Sequence, residues 1–457
     1  MLFSLSSLFV SAIVLFYLTL NGEMGGAVGT VTCIFSCSVL LIAWSWICRV
    51  RAITNLAIMF FSIQVFIGSI LLNFGWIKYL RSSIDTFDYD PIVYYSGAVA
   101  LLKGHVTGVV GINYPGVYYY YGVPYYLFGY APQVSMVVNF LLATSAVIYA
   151  YSYSSRYLAY KIVATLYFVT LLIPDLLWFN SLTSKDGPMA SACVLLVFSL
   201  AELILIKRPS AASIVAFIVG VSLVGALRTV MLIPIACVFI AMFCGWFRVI
   251  DLSRLIKLSA LGLISVVGVF VFYRASGAYG FDLVDIQTYD VKTLEDNFFI
   301  SENSFSRLIY ADAVWKIPLL VPFRMALYTF APLPSIPFFW DGLINGDWAD
   351  YQGFCAFLTA FIFAPSVIVI LAGIYSAWRK RLWVFGVFLI ISLVFFAATM
   401  SGVQFIHVRY RVASTLLIAL TSCLAFYHAD RRHVVVSFVV GFFVSLFMGF
   451  IYLFFKG

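Results

Sequence analysis

Apolar runs of about 20 residues recur along most of this chain, separated by short charged links. Runs of this length match the hydrocarbon thickness of a bilayer, and they lack the strict alternation of a membrane barrel strand. Hydrophobic residues make up 64% of the 457 residues, more than a soluble fold can bury. The sequence therefore predicts an all-α polytopic membrane protein with thirteen transmembrane helices. The predicted spans are 3–20, 29–48, 56–77, 132–151, 162–179, 188–206, 211–227, 230–247, 257–273, 354–377, 383–401, 412–428 and 434–454.

The Lys and Arg residues orient these spans, because cytoplasmic links are enriched in positive charge. One side carries 14 basic and three acidic residues, whereas the other carries 13 basic and 16 acidic residues. The basic residues of the first side are Arg49, Arg51, Arg156, Lys161, Lys207, Arg208, Arg248, Arg254, Lys257, Arg379, Lys380, Arg381, Arg431 and Arg432. We expect this side to be cytoplasmic and the other to face the periplasm, as suits the inner membrane of a Gram-negative cell. The net charge of +8 follows from this topology and does not indicate nucleic-acid binding.

Two long loops, residues 78–131 and 276–353, then lie on the periplasmic side. Long loops within a compact protein usually carry function. The first includes the tyrosine-rich segment 114–130, which is predicted to form a helix along the outer leaflet, with buried rings and wet hydroxyls. The second includes the proline-rich segment 317–334, which is predicted to be interfacial or re-entrant rather than spanning.

Charged residues gather at the periplasmic ends of the predicted spans. Carboxylates at such places bind a cation, relay a proton or act as a base, and arginines there commonly bind phosphate or carboxylate. The acidic candidates are Asp85, Asp88, Asp90, Asp175 and Asp186, and the basic candidates are Lys185, Arg228, Arg324, His407, Arg409 and Arg411. The sequence has no zinc-ligand spacing, Walker loop or dinucleotide fingerprint, so we do not expect the chain to use ATP itself.

The pattern Asp-x3-Tyr-x3-Ala-x-Ala-Leu-Leu-x-Gly at 90–104 resembles the first outer loop of GT-C superfamily glycosyltransferases. This superfamily includes lipid-carrier-dependent enzymes related to protein O-mannosyltransferases and aminoarabinose transferases. Tyr114-Pro115 and the aromatic run that follows are similar to the Tyr-Pro-Pro-Leu…Phe-Gly stretch of the family, but Gly116 replaces the second proline.

Further matches follow in the same order as in the family. Pro174 and the polar hairpin around Asp186 resemble the second outer loop, and segment 223–229 resembles a later helix pair. The resemblance covers residues 56–275 as a seven-helix module. Segment 405–411, which ends in Arg-Tyr-Arg, resembles an outer motif of polysaccharide-cluster membrane proteins.

The resemblance implies an inverting glycosyltransferase that moves a sugar from a polyprenyl-phosphate carrier to a lipid-linked glycan or another acceptor. The attacking hydroxyl must lose a proton, so Asp90 is predicted to be the general base, with Asp88 as second choice. Asp186 is predicted to position the acceptor. If a divalent cation such as Mg or Mn takes part, Asp90 and Asp186 are its expected ligands. Contacts to phosphate and sugar are expected from Lys185, Arg228, Arg409, Arg411, Arg324, Tyr94, His105, Tyr114 and His407.

Several of these residues also have purely structural interpretations. Asp90 and Asp186 each precede a predicted helix and can cap it. Lys185 can extend its side chain along the span, so that its charged end reaches the membrane surface. Arg228 can pair with Asp175, and the tyrosine run can be an interfacial belt.

The predicted organisation has four parts: two extra N-terminal helices in 1–55, the GT-C-like module in 56–275, a periplasmic or interfacial region in 276–353, and C-terminal helices in 354–457. Two other functions stay open. The Lys-Asp pair and the Arg-Tyr-Arg ending also occur in O-antigen repeat-unit polymerases. A transporter of lipid-linked oligosaccharides is disfavoured, because the charges gather at span ends rather than near the bilayer midplane.

Overall fold

The computed structural model describes residues 24–72, 90–104, 115–156, 162–205, 209–228, 231–232, 235–236, 238–239, 316–330, 348–401, 409–428 and 431–456. The side chains of a few residues inside these ranges, Asp90 and Arg409 among them, are not described. The predicted spans 3–20 and 257–273 and most of 230–247 lie outside the described residues. The same holds for Asp85, Asp88, His105, Tyr114 and His407.

The described part of the chain is helical and contains no strand. Its helices are α1 (Met24–Ile47), α2 (Thr54–Leu72), α3 (Asp90–Leu102), α4 (Pro115–Phe128), α5 (Pro132–Ser154), α6 (Ile162–Val169), α7 (Pro174–Ser181), α8 (Asp186–Leu205), α9 (Ala211–Leu227), α10 (Ile317–Phe330), α11 (Trp348–Arg379), α12 (Trp383–Ser401), α13 (Arg409–His428) and α14 (Arg431–Lys456). The tyrosine-rich segment forms α4 and the proline-rich segment forms α10, which continues through Pro322.

Within the described residues, five helices are long and apolar enough to cross a membrane. They are Gly26–Ile47, Arg51–Leu72, Pro132–Ser154, Asp186–Ile204 and Phe354–Arg379. Several shorter apolar helices accompany them, and α8 is enclosed by its neighbours along its apolar length. The prediction of an all-helical protein is therefore confirmed in this part of the chain, and several of its helices are long and apolar enough to span a membrane, whereas the number thirteen is not confirmed.

The predicted span 162–179 is broken rather than straight. The segments Ala164–Leu172 and Pro174–Ser181 are bent by 58° relative to each other and together could form a sixth span. Ile173, between them, is extended, with φ −60° and ψ 126°. A residue that precedes proline avoids the helical conformation, and proline itself is well accommodated in the first turn of a helix. The Ile173-Pro174 step therefore ends one helix and starts the next.

Polar connections with an excess of basic residues meet at one end of the helix bundle, which we call the basic end. Tyr153, Phe198 and Phe388, near the ends of α5 and α8 and the start of α12, pack there with ring centroids 5.0–5.6 Å apart. Ser152 also donates to the carbonyl of Cys48 over 2.7 Å. The basic residues in these connections are Arg49, Arg51, Arg156, Arg379, Lys380, Arg381 and Arg432.

A buried carboxylate fixes the helices at the basic end. Glu202 accepts hydrogen bonds from Tyr149 at 3.0 Å, from Arg156 at 2.8 Å and from the backbone N–H of Ser210 at 3.0 Å. Its side chain is 1% exposed, whereas that of Arg156 is 36% exposed. A buried carboxylate needs such donors, because ionised groups are costly to remove from water. This contact joins α5 to α8 and to the start of α9.

We expect Arg156→Ala to lower the free energy of unfolding by about 1–3 kcal/mol, because it removes a charge-assisted hydrogen bond from a buried carboxylate. Arg379→Ala is the matched control, since Arg379 is exposed at the same end. Thermal unfolding of the purified protein in detergent measures both variants. Equal stability of the two variants would contradict the stabilising role of the contact between Arg156 and Glu202.

Candidate functional site

Residues 182–186, the connection between α7 and α8 together with the first residue of α8, include two of the predicted site residues, and we call this segment the hairpin. The Nζ atom of Lys185 lies 5.4 Å from the centroid of the Tyr94 ring, within the range of a cation–π contact. Tyr94 lies on α3, one helical turn after Asp90, the residue at which α3 begins. The structure therefore brings the start of the 90–104 pattern to the hairpin.

Arg228, at the end of α9, also lies beside the hairpin. It follows the last residue of α9, and its guanidinium lies 3.7 Å from Oδ1 of Asp186. The two side chains are 18% and 8% exposed, so this ion pair is largely enclosed by protein. The structural hypothesis that Arg228 pairs with Asp175 is wrong, because Asp175 lies in a different ion pair.

Gly116 allows the start of α4 to pack closely against the end of α9, beside Arg228. A Cβ atom at this position would lie 2.2 Å from the carbonyl oxygen of Ala226, a backbone atom of α9. Only glycine fits against a backbone at that separation. The Pro-to-Gly departure from the GT-C pattern therefore coincides with a close contact between α4 and α9, two residues before Arg228. We call Tyr94, Lys185, Asp186 and Arg228, with the start of α3, the outer cluster, after the side of the membrane on which the sequence predicts these residues.

Asp175 and Arg411 form a second, fully buried ion pair. Nη2 of Arg411 lies 2.8 Å from Oδ2 of Asp175, and both side chains are 0% exposed. Arg411 also donates to the carbonyl of Ala356 at 3.0 Å, and the backbone N–H of Asp175 donates to Thr359 at 2.9 Å. The bend at Pro174 places Asp175 at the first turn of α7, so this contact holds α7 against α11 and α13.

The remaining predicted basic residues lie with the C-terminal helices. Arg324 is buried on α10 and donates to the carbonyl of Met400 on α12 over 3.3 Å. Arg409 begins α13, two residues before Arg411. Phosphate binding by these three arginines stays a prediction, since no contact of the structure tests it. The described contact of Arg324 joins α10 to α12, and those of Arg411 join α13 to α7 and α11.

Sequence reasoning missed the residues that hold the hairpin in place. Nδ2 of Asn139, on α5, donates to the carbonyls of Asn180 at 3.1 Å and Leu182 at 3.0 Å. Tyr121, on α4, donates to the carbonyl of Ser184 at 2.5 Å, and its hydroxyl oxygen lies 3.2 Å from Nδ2 of Asn139. The available signal was a lone asparagine in the apolar run 132–151, because polar residues inside membrane helices commonly bond to other helices.

Burial affects the chemistry of these tyrosines. Removal from water raises the pKa of the Tyr121 phenol well above its usual value, and the neighbouring Tyr120 adds to this effect. The Tyr121 hydroxyl therefore stays protonated and acts as a neutral donor. The tyrosine-rich helix thus turns Tyr118, Tyr121 and Tyr125 inward, while Tyr126 is 77% exposed.

The outer cluster combines two cations with a carboxylate in a mostly enclosed place. Such an arrangement suits the binding of a phosphate group, because enclosed charges are less screened than charges in water. Among the described residues, no group of three His, Cys, Asp or Glu side chains could hold a metal ion. A divalent cation between Asp90 and Asp186 stays a prediction, since the Asp90 side chain is not described.

The Asp175–Arg411 pair allows a test with two single variants and one double variant. We expect Asp175→Leu to destabilise the fold by about 3–5 kcal/mol, because it leaves the Arg411 charge buried without its counter-ion. Asp175→Leu combined with Arg411→Met should recover most of that loss, since replacing both ions by apolar groups is often neutral. Thermal unfolding measures all three variants, and a double variant as unstable as the sum of the two single variants would contradict the coupling.

Comparisons with known proteins do not assign this chain to a family. No protein-family model, no curated protein and no solved structure matches it. Its function is therefore inferred from the chemistry of the outer cluster and from the sequence patterns that meet there.

Proposed function

We propose that this protein is a membrane glycosyltransferase of the GT-C type. It moves a sugar from a polyprenyl-phosphate carrier to a lipid-linked glycan or another acceptor, in the synthesis of a cell-surface polysaccharide. One observation carries the proposal: the start of α3, the hairpin and the end of α9 meet in the outer cluster, although they are far apart in sequence. These are the segments that resemble separate parts of the GT-C pattern.

The two cations of the outer cluster suit the carrier phosphate. When the bond between the anomeric carbon and the phosphate oxygen breaks, negative charge grows on the phosphate, and nearby cations stabilise it. The Lys185 ammonium lies 5.4 Å from the centroid of the Tyr94 ring. Arg228 is 3.7 Å from Asp186, longer than a strong charge-assisted hydrogen bond. An ammonium and a guanidinium in one mostly enclosed cluster suit a phosphate, because both donate charge-assisted hydrogen bonds to phosphate oxygens.

A carboxylate completes the reaction. The acceptor hydroxyl forms the new bond to the anomeric carbon, its proton passes to Asp90, and the carrier phosphate leaves with the bonding electrons. A single displacement of this kind inverts the configuration of the anomeric carbon. Asp186, held beside Arg228, orients the acceptor, and a divalent cation shared with Asp90 would serve the same end.

The orientation in the membrane forms part of the proposal. The basic end is the cytoplasmic side, because it carries the excess of Lys and Arg. The outer cluster then faces the periplasm, where lipid-linked glycans are assembled, and the full chain crosses the inner membrane thirteen times.

A repeat-unit polymerase is the second candidate. The two motifs that resemble those of polymerases, the Lys185-Asp186 pair and the Arg-Tyr-Arg ending at Arg411, lie about 225 residues apart in the sequence. Arg411 is bonded to Asp175 on α7, the helix that leads directly into the hairpin. Both motifs therefore belong to one continuous set of contacts, which favours this alternative over a transporter.

The lipid-linked glycans of cells that lack this protein separate the candidates. A transferase predicts accumulation of a repeat unit that lacks one sugar, and a polymerase predicts complete single repeats without long polymer. Normal glycans in the deletion strain would contradict both.

Single variants test the site. Asp90→Asn should reproduce the deletion profile, because an amide cannot accept the proton. Lys185→Met should do the same through loss of phosphate binding, whereas Lys380→Met, at the basic end, is the control and should leave the profile normal. A normal profile for Asp90→Asn, beside an altered profile for the deletion, would show that Asp90 is not the base.

A further inference from the structure

The hairpin is held by donors from two different helices. Asn139 on α5 donates to the carbonyls of Asn180 and Leu182, which flank the start of the hairpin. Tyr121 on α4 donates to the carbonyl of Ser184, directly before Lys185. The same Tyr121 hydroxyl lies 3.2 Å from Nδ2 of Asn139, so the two donors are in contact.

Thr183 lies between Leu182 and Ser184, whose carbonyls accept these hydrogen bonds, and its own side chain is also held in place. Its Oγ1 lies 2.9 Å from Oγ of Ser135 on α5 and 3.3 Å from the hydroxyl of Tyr125 on α4. Tyr121 and Tyr125 are four residues apart and therefore lie on one face of α4. This spacing explains why the inward tyrosines bond to consecutive residues of the hairpin.

The contacts that hold the hairpin backbone also position the charged residues Lys185 and Asp186. Ser184 accepts a hydrogen bond from the backbone N–H of Asp186 over 3.2 Å, and its own carbonyl is held by Tyr121. Lys185 lies between these two fixed residues and is 7% exposed. Its ammonium position over Tyr94 therefore depends on the backbone that Tyr121 and Asn139 hold.

We infer that Asn139 and Tyr121 are positioning residues, which act through the hairpin on Lys185 and Asp186. The functional part of this inference rests on the proposed glycosyl transfer. It assigns the tyrosine-rich helix α4 to the support of the phosphate-binding hairpin, rather than to an interfacial belt or to a stacking platform for sugar. A displacement of about 1 Å in a positioned group can cost on the order of 100-fold in rate, so this support determines how efficiently the site uses the donor at low concentration.

Tyr121→Phe tests the inference with the smallest change, because it removes one hydroxyl and keeps the ring. Tyr126→Phe is the matched control, since Tyr126 lies on the same helix and is 77% exposed. Asn139→Leu is a second variant, which removes the donor to both carbonyls. We expect Tyr121→Phe to lower the unfolding temperature by only a few degrees, as for one buried hydrogen bond.

Two measurements report the position of the hairpin without any assumption about function. Hydrogen exchange of the peptide that contains residues 182–189 should become faster in Tyr121→Phe and stay unchanged in Tyr126→Phe. Acylation of Lys185 by a soluble amine reagent should rise severalfold, while acylation of Lys380 stays constant. Unchanged exchange and unchanged acylation would overturn the inference, whatever the protein does.

A third measurement links the hairpin to the reaction. Transfer is followed in membrane vesicles with the lipid-linked precursor extracted from the deletion strain. Tyr121→Phe should raise the donor concentration for half-maximal transfer about tenfold, as expected for about 1.4 kcal/mol of lost phosphate interaction. A general loss of folded protein would instead lower the maximal rate and leave that concentration unchanged.

The failures of the two proposals differ. If Lys185→Met abolishes transfer but Tyr121→Phe loosens the hairpin without changing transfer, the positioning role is wrong and the proposed function stands. If Lys185→Met itself leaves the glycan profile normal, the proposed use of Lys185 fails. Exchange and acylation then decide by themselves whether Asn139 and Tyr121 hold the hairpin.

Discussion

The hydrocarbon core of a bilayer offers no hydrogen bonds, and this constraint governs the structure. Polar groups within an apolar bundle must find partners in the protein itself. Hydroxyls on the helices do so locally, as where Ser38 and Ser45 donate to carbonyls four residues earlier. Charged and amide groups do so over long sequence separations. Glu202, Asn139 and the Asp175–Arg411 pair each join two or more helices.

These polar contacts also arrange the candidate site. The broken span at Pro174 brings Asp175 to Arg411 and leads the chain into the hairpin. Asn139 and Tyr121 hold the hairpin backbone, and Gly116 lets α4 approach the end of α9. Lys185 then lies over the ring of Tyr94, and Arg228 lies 3.7 Å from Asp186, the residue that follows Lys185. The chemistry proposed for the outer cluster therefore depends on residues that never touch the substrate.

Local patterns predicted much of the helical structure. The span 211–227 coincides with α9, and 132–151 differs from α5 only at its C-terminal end, because long apolar runs leave little choice within a bilayer. The same periodicity did not reveal the break at Ile173-Pro174. The apolar periodicity also did not predict which charged residues form ion pairs. The sequence allowed a pair between Arg228 and Asp175, whereas in the structure Arg228 pairs with Asp186. Such pairings depend on helix packing, which no single segment encodes.

The central claim is that Lys185 and Arg228 form a binding site for a lipid-linked phosphate. The most direct measurement is the affinity of the purified protein in nanodiscs for a fluorescent polyprenyl phosphate, compared with the same polyprenol without phosphate. We expect the wild-type protein to prefer the phosphate, and Lys185→Met combined with Arg228→Gln to weaken binding by about tenfold or more, as for the loss of charge-assisted hydrogen bonds. Equal affinity for the phosphate and the alcohol, or an unchanged affinity in the double variant, would contradict this claim.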